Sequence, residues 1–403
     1  MSKHDVIVIG GGISGLTFAH EAARAGRSVL VLEQAPRVGG CLSTHRAASG
    51  SWYELGAHTC YNSYVGLTEL LDGCGLRGEV VERAKTHMRM LDGDALVPGS
   101  NLGMLLRLFS WGELAVSLPR MLTAKKDGQT VYSYYAAVVG RKNYGNVLGP
   151  MLSAVPSQSA DAFPAAMLFK TRGTRRKEYP RSFTVRGGLQ TIAEAIAHQP
   201  RIEARTGQAV AALESAGAGQ VVVTADGARH EAAVVALATT PGPASRLVAG
   251  VAPELAAVVA RVKEASVESL GFTVRAEKVA HLPPSTFLVP REDVFHSVVT
   301  RDSVPDASWR GFAFHFKPGL DRASKLARAL RLLKLQPGDL EELAEQRSIL
   351  PSPVLGHEEV VREVDRLTRG GRLSITGNWF AGLSIEDCVE RSRQEWARVS
   401  ALG

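Results

Sequence analysis

Asp5-Val6-Ile7-Val8-Ile9-Gly10-Gly11-Gly12-Ile13-Ser14-Gly15-Leu16 decides the fold of this 403-residue chain. Behind the leading aspartate the run is apolar and β-branched, the composition of a parallel strand covered on both faces. Glycines follow at once, and 13–25 then read as a helix that Gly26 stops. Ser28-Val29-Leu30-Val31-Leu32 makes a second strand, with Glu33 at its end. Gly10, Gly12 and Gly15 stand at GxGxxG spacing, which provides a tight turn, close approach of backbone to a pyrophosphate, and close helix–strand packing. The helix start, at Ile13 and Ser14, offers free N–H groups and the positive end of the helix dipole to phosphate. Glu33 stands where a carboxylate accepts hydrogen bonds from ribose hydroxyls. Strand, turn, helix, strand and acid in this order specify a dinucleotide site.

The chain continues Gln34-Ala35-Pro36-Arg37-Val38-Gly39-Gly40. A second glycine pair lets backbone pass close to the ligand again, and Arg37 is placed to meet phosphate; its alternative is a solvated surface charge. Simple nicotinamide dehydrogenases need no such extension. The stretch resembles the ExxxRxGG pattern of FAD enzymes in the superfamily of amine oxidases, phytoene desaturases and protoporphyrinogen oxidases. The resemblance implies FAD. No cysteine stands in the setting of a covalent flavin link, so the cofactor is expected to be non-covalent.

Further stretches resemble the same superfamily, in order. Trp52-Tyr53-Glu54-Leu55-Gly56-Ala57-His58 is similar to the strand and turn these flavoproteins place beside the isoalloxazine. That implies Gly56, Ala57 and His58 at the flavin, with His58 either structural or catalytic. Cys41, after the glycine pair, replaces the arginine or bulky residue of many relatives. Residues 131–155 resemble a helical segment that caps the substrate cavity in protoporphyrinogen oxidases, and Tyr132, Tyr134 and Tyr135 either line that cavity or pack between helices. Arg186-Gly187-Gly188-Leu189-Gln190-Thr191-Ile192 is similar to the turn and helix by which those enzymes return to the FAD domain. Val210 matches a valine whose backbone meets the adenine end of FAD, and the strand over 234–240 ends at a ligand-facing loop with Thr239.

The closing stretch, Arg372 to Glu390, resembles the family's GNxxxGxGxxDC ending, with Ser384 in place of its third glycine. The resemblance puts a helix N-terminus at the flavin N1–C2=O edge, surrounded by Gly377, Asn378, Gly382, Leu383, Ser384 and Ile385. Such a helix end favours the negative charge that reduced flavin gains there. Trp379 and Phe380 are candidates to wall the isoalloxazine, and Cys388 is read as packing at the helix start.

A chain this long divides into two domains, here interleaved. The class expected is α/β: a Rossmann-type FAD-binding domain interleaved with a helical cap and an α+β substrate domain. The FAD-binding part covers 1–84, 181–265 and 350–403, the cap 85–180, and the substrate sheet and helix 266–349. Alternation over 270–274 and 311–316 predicts half-buried strands, with His315 a cavity candidate, and 322–335 reads as a helix. Strands are also expected over 202–213 and 220–224, with Gly217-Ala218-Gly219 as a turn. A hairpin is expected at 88–94; its Arg89 and nearby Lys85 are not placed on any substrate group. Leu102–Leu122 is the longest apolar stretch, but Arg107, Glu113, Pro119 and Arg120 interrupt it. It reads as a core or cap helix, or as a helix that dips into a membrane surface.

Net charge is +7 and nothing resembles a nucleic-acid module, so no nucleic-acid partner is expected. The densest basic cluster, Arg172, Arg175, Arg176 and Lys177, reads as solvated surface or as an anchor for anionic lipid or substrate. Cys41, Cys60, Cys74 and Cys388 show no CxxC and no metal-ligand spacing, so no metal is expected and a reducing cytoplasm, with or without peripheral membrane contact, is the expected location. The first strand begins almost at once, leaving no room for a signal peptide.

The resemblance implies an FAD-dependent oxidase or dehydrogenase acting on a small amine or cyclic substrate. A hydride leaves a C–H next to nitrogen or in a partly saturated ring, forming C=N or C=C. No second GxGxxG precedes a helix, so O2 or quinone is the expected acceptor. His58, Trp379 and His315 are the catalytic candidates, none assigned firmly. The competing reading is a desaturase or isomerase of a lipidic, carotenoid-like substrate; a non-catalytic flavin-binding protein is the third.

Overall fold

The computed structural model describes residues 2–99, 102–217 and 219–402, so Ala218, centre of one expected turn, lies outside the described residues. The class is α/β, built around two seven-stranded sheets. In the first, Ser2–Ile9 lies parallel to Val29–Leu32 on one side and Arg229–Leu237 on the other. Ile202–Arg205 extends the sheet past Val29–Leu32, and Leu373–Ile375 pairs in parallel with the end of Arg229–Leu237. The antiparallel hairpin Val210–Ala216/Gly219–Thr224 completes it. The strand read over 202–213 is two strands, because Gly207 takes φ +69° between them.

The alternation of strand side chains explains why the opening run is uniformly apolar. Val6 and Val8 face a core shared with the helices Ile13–Arg24, Val65–Gly73, Gln190–Ala197 and Ile385–Ser400. Ile7 and Ile9 face the opposite core, against Pro241–Val248, Pro253–Val259 and His357–Thr368. Over Val6–Ile9 both faces are dry, so all four residues are apolar. Each such side chain contributes about 1.5–3 kcal/mol through burial.

The second sheet runs in the order Glu341–Pro351, Glu264–Arg275, Trp309–Phe316, Phe295–Thr300, Ser285–Pro290, His87–Asp92, Ala95–Leu96. The hairpin expected at 88–94 thus joins this sheet, by parallel pairing with Ser285–Pro290. Leu270, Phe272, Phe312, Phe314 and Phe316 pack beneath the helix Arg322–Leu333. The half-burial predicted for these strands does not occur: 270–274 and 311–316 are buried on both faces. The other face is covered by the strand Trp52–Glu54, and the glycines make room for it. A Cβ on Gly271 would lie 2.2 Å from Cε2 of Tyr53, and one on Gly311 2.9 Å from its Cβ.

The residues from 102 to 154 are mainly helical, with a loop over 124–130, and share small cores with the following segment around Tyr144, Phe163, Met104 and Val147. Leu102–Leu122 is not one helix but two, Leu102–Leu108 and Trp111–Thr123, broken at Ser110, whose N–H donates to Oδ1 of Asn143 at 2.7 Å. Among the described residues, no helix is long and apolar enough to cross a membrane.

Candidate active site

A cavity of about 410 Å³ opens between the two sheets and the helical segment. Its floor is the carboxyl end of the first sheet, where Ile9 and Leu32 end their strands and Ala238 follows Arg229–Leu237. Ligands of open α/β sheets bind at such an edge. Val267, Ser269, His315 and the residues 348–351 wall it from the second sheet, and 155–158 come from the helical segment.

The three glycines of the opening motif divide into two kinds. Gly10 has φ +107° and a Cβ there would lie 2.7 Å from the Ala238 carbonyl; on Gly15 it would lie 2.0 Å from the Gly10 carbonyl. Both are required by the protein's own packing, and Gly15 does not line the cavity. Gly12 is different. A Cβ on it meets no protein atom closer than Gly40 Cα at 3.9 Å, and it stands on the cavity wall. Its missing side chain keeps space for a ligand at the N-terminus of Ile13–Arg24, where Gly12, Ile13 and Ser14 border the cavity.

Glu33 borders the same end. Its Oε2 accepts from Gly11 N at 2.7 Å and its Oε1 from Ala35 N at 2.8 Å, which locks the carboxylate beside the glycine turn with lone pairs to spare. Gln34 lines the cavity beside it, and Gly207 N donates to Ala35 O at 2.9 Å, drawing Gln208 and Val210 onto the wall. Gly39 does not line the cavity: its N–H donates to Gly11 O at 2.7 Å, pinning Gly40 and Cys41, which do. Arg37 also stays off the cavity. Its guanidinium donates to Gly40 O at 3.3 Å and Gln346 Oε1 at 3.0 Å, so it braces the loop and the second sheet instead.

At the far end, Gly56 packs its Cα on the Cys41 carbonyl, where a Cβ would come within 2.2 Å, and Ala57 N donates to that carbonyl at 2.9 Å. This close pairing presents Gly56, Ala57 and His58 to the cavity. His58 Nδ1 lies 3.3 Å from Gly56 O, and its ring stands edge-on to Phe287 with centroids 4.9 Å apart. Burial, reinforced by the Arg83 charge, pushes its imidazole down to about 3. His315 Nδ1 lies 2.9 Å from Ser269 Oγ, which in turn donates to Leu55 O at 3.1 Å. Burial lowers His315 to about 4. The structure thus brings His58 and His315 to one end of one cavity, both uncharged at neutral pH. Trp379 is elsewhere. It is fully buried in the second core, stacked on Phe380 with centroids 3.9 Å apart, and does not reach the cavity.

The helix Ile385–Ser400 starts at the cavity wall. Gly377, Asn378, Leu383 and Ile385 line it, with Thr239 and Cys388. Ser384 faces away as the N-cap, accepting from Asp387 N at 3.1 Å and donating to Asp387 Oδ2 at 2.7 Å. A serine thus does here what a capping residue does, satisfying N–H groups of the first turn. Gly382 also stays off the wall: a Cβ there would lie 2.3 Å from Asp387 Oδ2. Asp387 is held by Arg172 at 2.9 Å and Lys170 at 3.2 Å. Two members of the basic cluster read as surface or anionic anchor are therefore structural: Arg172 here, and Arg176 paired with Asp72 at 2.7 Å. Glu386, buried beside them, accepts from Gly66 N at 2.7 Å and Leu67 N at 2.9 Å, closing the start of Val65–Gly73.

Sequence reasoning missed Ser269, Val267, Gln158 and the 348–351 stretch. Alternation along Glu264–Arg275 carries Val267 and Ser269 to the same face, three residues and one residue before the expected strand 270–274. Gln158 and 348–351 carry no local signal; long-range packing brings them together, Gln158 Nε2 donating to Pro351 O at 3.0 Å.

A narrow cavity with two helix N-termini, a ribose-competent carboxylate and glycine backbone fits an extended dinucleotide. The family model for flavin-containing amine oxidoreductases matches residues 13–278, and the chain belongs to that family. FAD is its cofactor. Over 49 residues it is 49% identical to an L-amino-acid oxidase of Echis ocellatus, 12% of this chain and 10% of that protein. Over 72 residues it is 32% identical to 15-cis-phytoene desaturase of Narcissus pseudonarcissus, 18% of this chain and 13% of that protein. The matched stretches are thus a small part of those relatives' length. Similarity of fold runs much further. A structure from Exiguobacterium sp. 255-15, provisionally named protoporphyrinogen oxidase, superposes with TM-score 0.79 at 16% identity, covering 100% of this chain and 99% of that one. Cyclohexylamine oxidase from Brevibacterium oxydans IH-35A gives 0.72 at 16% identity, covering 99% of each chain.

Proposed function

We propose that the enzyme oxidises a substrate whose reacting part is uncharged, either the free base of a cyclic or other amine or a partly saturated, porphyrinogen-like ring whose ionised side groups stay outside the cavity. The C–H attacked lies next to nitrogen or in that ring, and the product gains C=N or C=C. One observation carries this reading. Among the described residues lining the cavity, Glu33 is the one carboxylate and there is no lysine or arginine. At the end holding His58 and His315, none of the described lining residues carries a charge to pair with an ammonium or a substrate carboxylate. Burying either ion there unpaired is costly, so a neutral molecule is favoured.

Bound FAD supplies the hydride-accepting ring. Gly12, Ile13 and Ser14 would hold its pyrophosphate, Glu33 its ribose, and Gly56, Ala57, Gly377 and Ile385 its far end. The chain's own work is to position and to exclude water. His58 and His315, as neutral imidazoles, are each left with Nε2 as an acceptor if Nδ1 donates to Gly56 O and Ser269 Oγ. They can orient an N–H of the substrate without holding its proton. The N-terminus of Ile385–Ser400, capped by Ser384, adds positive dipole charge beside the cavity. The cofactor is held without a covalent bond, with O2 or quinone as acceptor. Four unpaired cysteines fit a reducing, cytoplasmic setting.

A second reading rests on the apolar rim. Val155 and Ile349 line the cavity, yet are 54% and 40% exposed, which suits entry of a lipidic, carotenoid-like substrate for desaturation or isomerisation. Anaerobic mixing of the holoenzyme with cyclic amines, dihydropyrroles, protoporphyrinogen and a polyene separates the two. Bleaching of the flavin band by an amine or ring compound is the expected result. Bleaching by the polyene alone would replace the first reading with the second.

A further inference from the structure

The helices Leu102–Leu108 and Trp111–Thr123 are built the wrong way round for an aqueous surface. Seven of the fifteen exposed large apolar side chains among the described residues fall between 102 and 122. Leu102 is 68% exposed, Trp111 53%, Leu118 50% and Leu122 79%. On Trp111–Thr123, residues 111, 115, 118 and 122 follow the spacing that aligns side chains on one helix face. All four are exposed, while the one buried side chain of that helix is Ser117. Leu102 and Leu106, one turn apart, repeat the pattern on the preceding helix. Scattered exposed leucines need no explanation, but a contiguous stripe does.

Charge says what covers the stripe. Arg107, Arg120 and Lys125 are exposed beside it, with Lys126 half-buried. Of the two acids in the stretch 102–127, Glu113 is turned inward, accepting from Lys142 N at 2.8 Å and Asn143 N at 3.2 Å, and Asp127 is exposed in the loop beyond the second helix, outside the stripe. The surface facing solvent is thus apolar with a positive border. A second copy of the chain meeting it by twofold symmetry would oppose arginine to arginine. An anionic bilayer meets both features. Helices of 7 and 13 residues are too short to span it and suit lying flat in the headgroup region.

We propose that this stripe docks the enzyme on an anionic lipid surface, with Trp111, Leu118 and Leu122 inserted among the headgroups and Arg107, Arg120 and Lys125 on their phosphates. The proposal does not depend on the substrate reading. The test is flotation of the holoenzyme with vesicles of phosphatidylcholine alone or mixed with phosphatidylglycerol, beside the Leu118→Glu/Leu122→Glu variant. Both side chains are exposed, so the variant should keep its bound FAD and its melting temperature, which are measured alongside. The wild type should float with the anionic vesicles, and the variant should partition at least about tenfold less. Binding should also weaken from about 0.1 to about 0.5 M salt, as the phosphate contacts are screened. Absence of vesicle binding by the wild type, or equal binding by the variant, overturns the proposal. So does a solution dimer that the double substitution dissolves, which would make the occupant a second copy.

Discussion

Glu54 offers a direct test of how the reacting end of the cavity is held. It ends the strand that leads to Gly56 and His58 and is 9% exposed. Its carboxylate accepts from Leu189 N at 2.8 Å and from Thr44 Oγ1 at 2.7 Å, fastening that strand to the start of the helix Gln190–Ala197. Burial outweighs those hydrogen bonds and the Arg46 and Arg301 charges, and pushes the carboxyl up from 4.5 to about 7. The native state therefore keeps a proton that the unfolded chain has released. A raised carboxyl contributes stability that is fully present below about pH 4.5 and lost as pH rises through about 7. At about 1.4 kcal/mol per pH unit, the loss between pH 5 and pH 8 is about 2–3 kcal/mol. Glu54→Gln removes the titration, while its amide oxygen can still accept from Leu189 N and the Thr44 hydroxyl can turn to accept. Urea unfolding of wild type and variant at the two pH values, followed by fluorescence and by FAD release, gives the difference. The wild type should lose about 2–3 kcal/mol relative to the variant on going from pH 5 to pH 8. A difference that stays flat would refute both the raised pKa and the buried, charge-poor environment from which it follows.

Three further outcomes follow from the site. Gly12→Ala should purify with little FAD yet melt as the wild-type apoprotein does, because its Cβ meets ligand space and not protein; Gly15→Ala should melt below the wild-type apoprotein, its Cβ falling 2.0 Å from the Gly10 carbonyl. Absorbance ratios and melting curves of the two variants tell these apart, and equal FAD content would sink the distinction. His58 and His315 are both held low, at about 3 and about 4, so His58→Asn and His315→Asn should alter the anaerobic rate of flavin reduction without moving its apparent pKa between about pH 6 and 9. A shifted pKa in either variant would show that imidazole to be the titrating group. Asp387→Asn removes the negative charge that pairs with Arg172 and Lys170 and weakens the cap of Ile385–Ser400, with an expected cost of about 1–2 kcal/mol and looser FAD binding, read by thermal unfolding and by cofactor titration.

The parts of the fold legible in the sequence are those set by neighbours along the chain. Val6 to Ile9 announce a strand because alternate residues enter two dry cores, and Gly10 announces its turn because no other residue takes φ +107° against the Ala238 carbonyl. The glycine and acid pattern placed Glu33 and Gly40, and the family resemblance placed Gly56 to His58 and Ile385, at a cofactor site, and all of them line the cavity. What was not legible depends on partners far away. Trp379 sits beside the closing motif but turns inward onto Phe380 and His357, whose Nε2 bonds the Trp379 carbonyl. The strands 270–274 and 311–316 were read as half-buried because nothing local shows that Tyr53 would lie across Gly271 and Gly311. Arg172 and Arg176 looked like surface charge because Asp387 and Asp72 are far from them in sequence.

The cavity is electrostatically divided, and the division explains which part of the chemistry is readable from motifs. At one end Glu33 and the N-terminus of Ile13–Arg24 present a carboxylate and backbone dipoles, groups that must be arranged in a fixed pattern to hold a charged, polar cofactor. Such a pattern leaves a mark in consecutive residues. At the other end His58, His315, Ser269, Val155 and Ile349 present no net charge, and they come from five separate segments of chain. Selection there works by shape and by the cost of burying an ion. That form of selection needs no conserved spacing between side chains, so it leaves none to read. It also sets the order of events. A substrate that is an ammonium in bulk water must shed its proton before or during entry, because neither imidazole can hold that proton at neutral pH. The apparent pKa of flavin reduction should therefore follow the amine's own pKa across a series of substrates, rising as the amine becomes more basic. A constant value across the series would mean that a protein group takes the proton, and Glu54, raised to about 7 near the His58 turn, would be the group to examine.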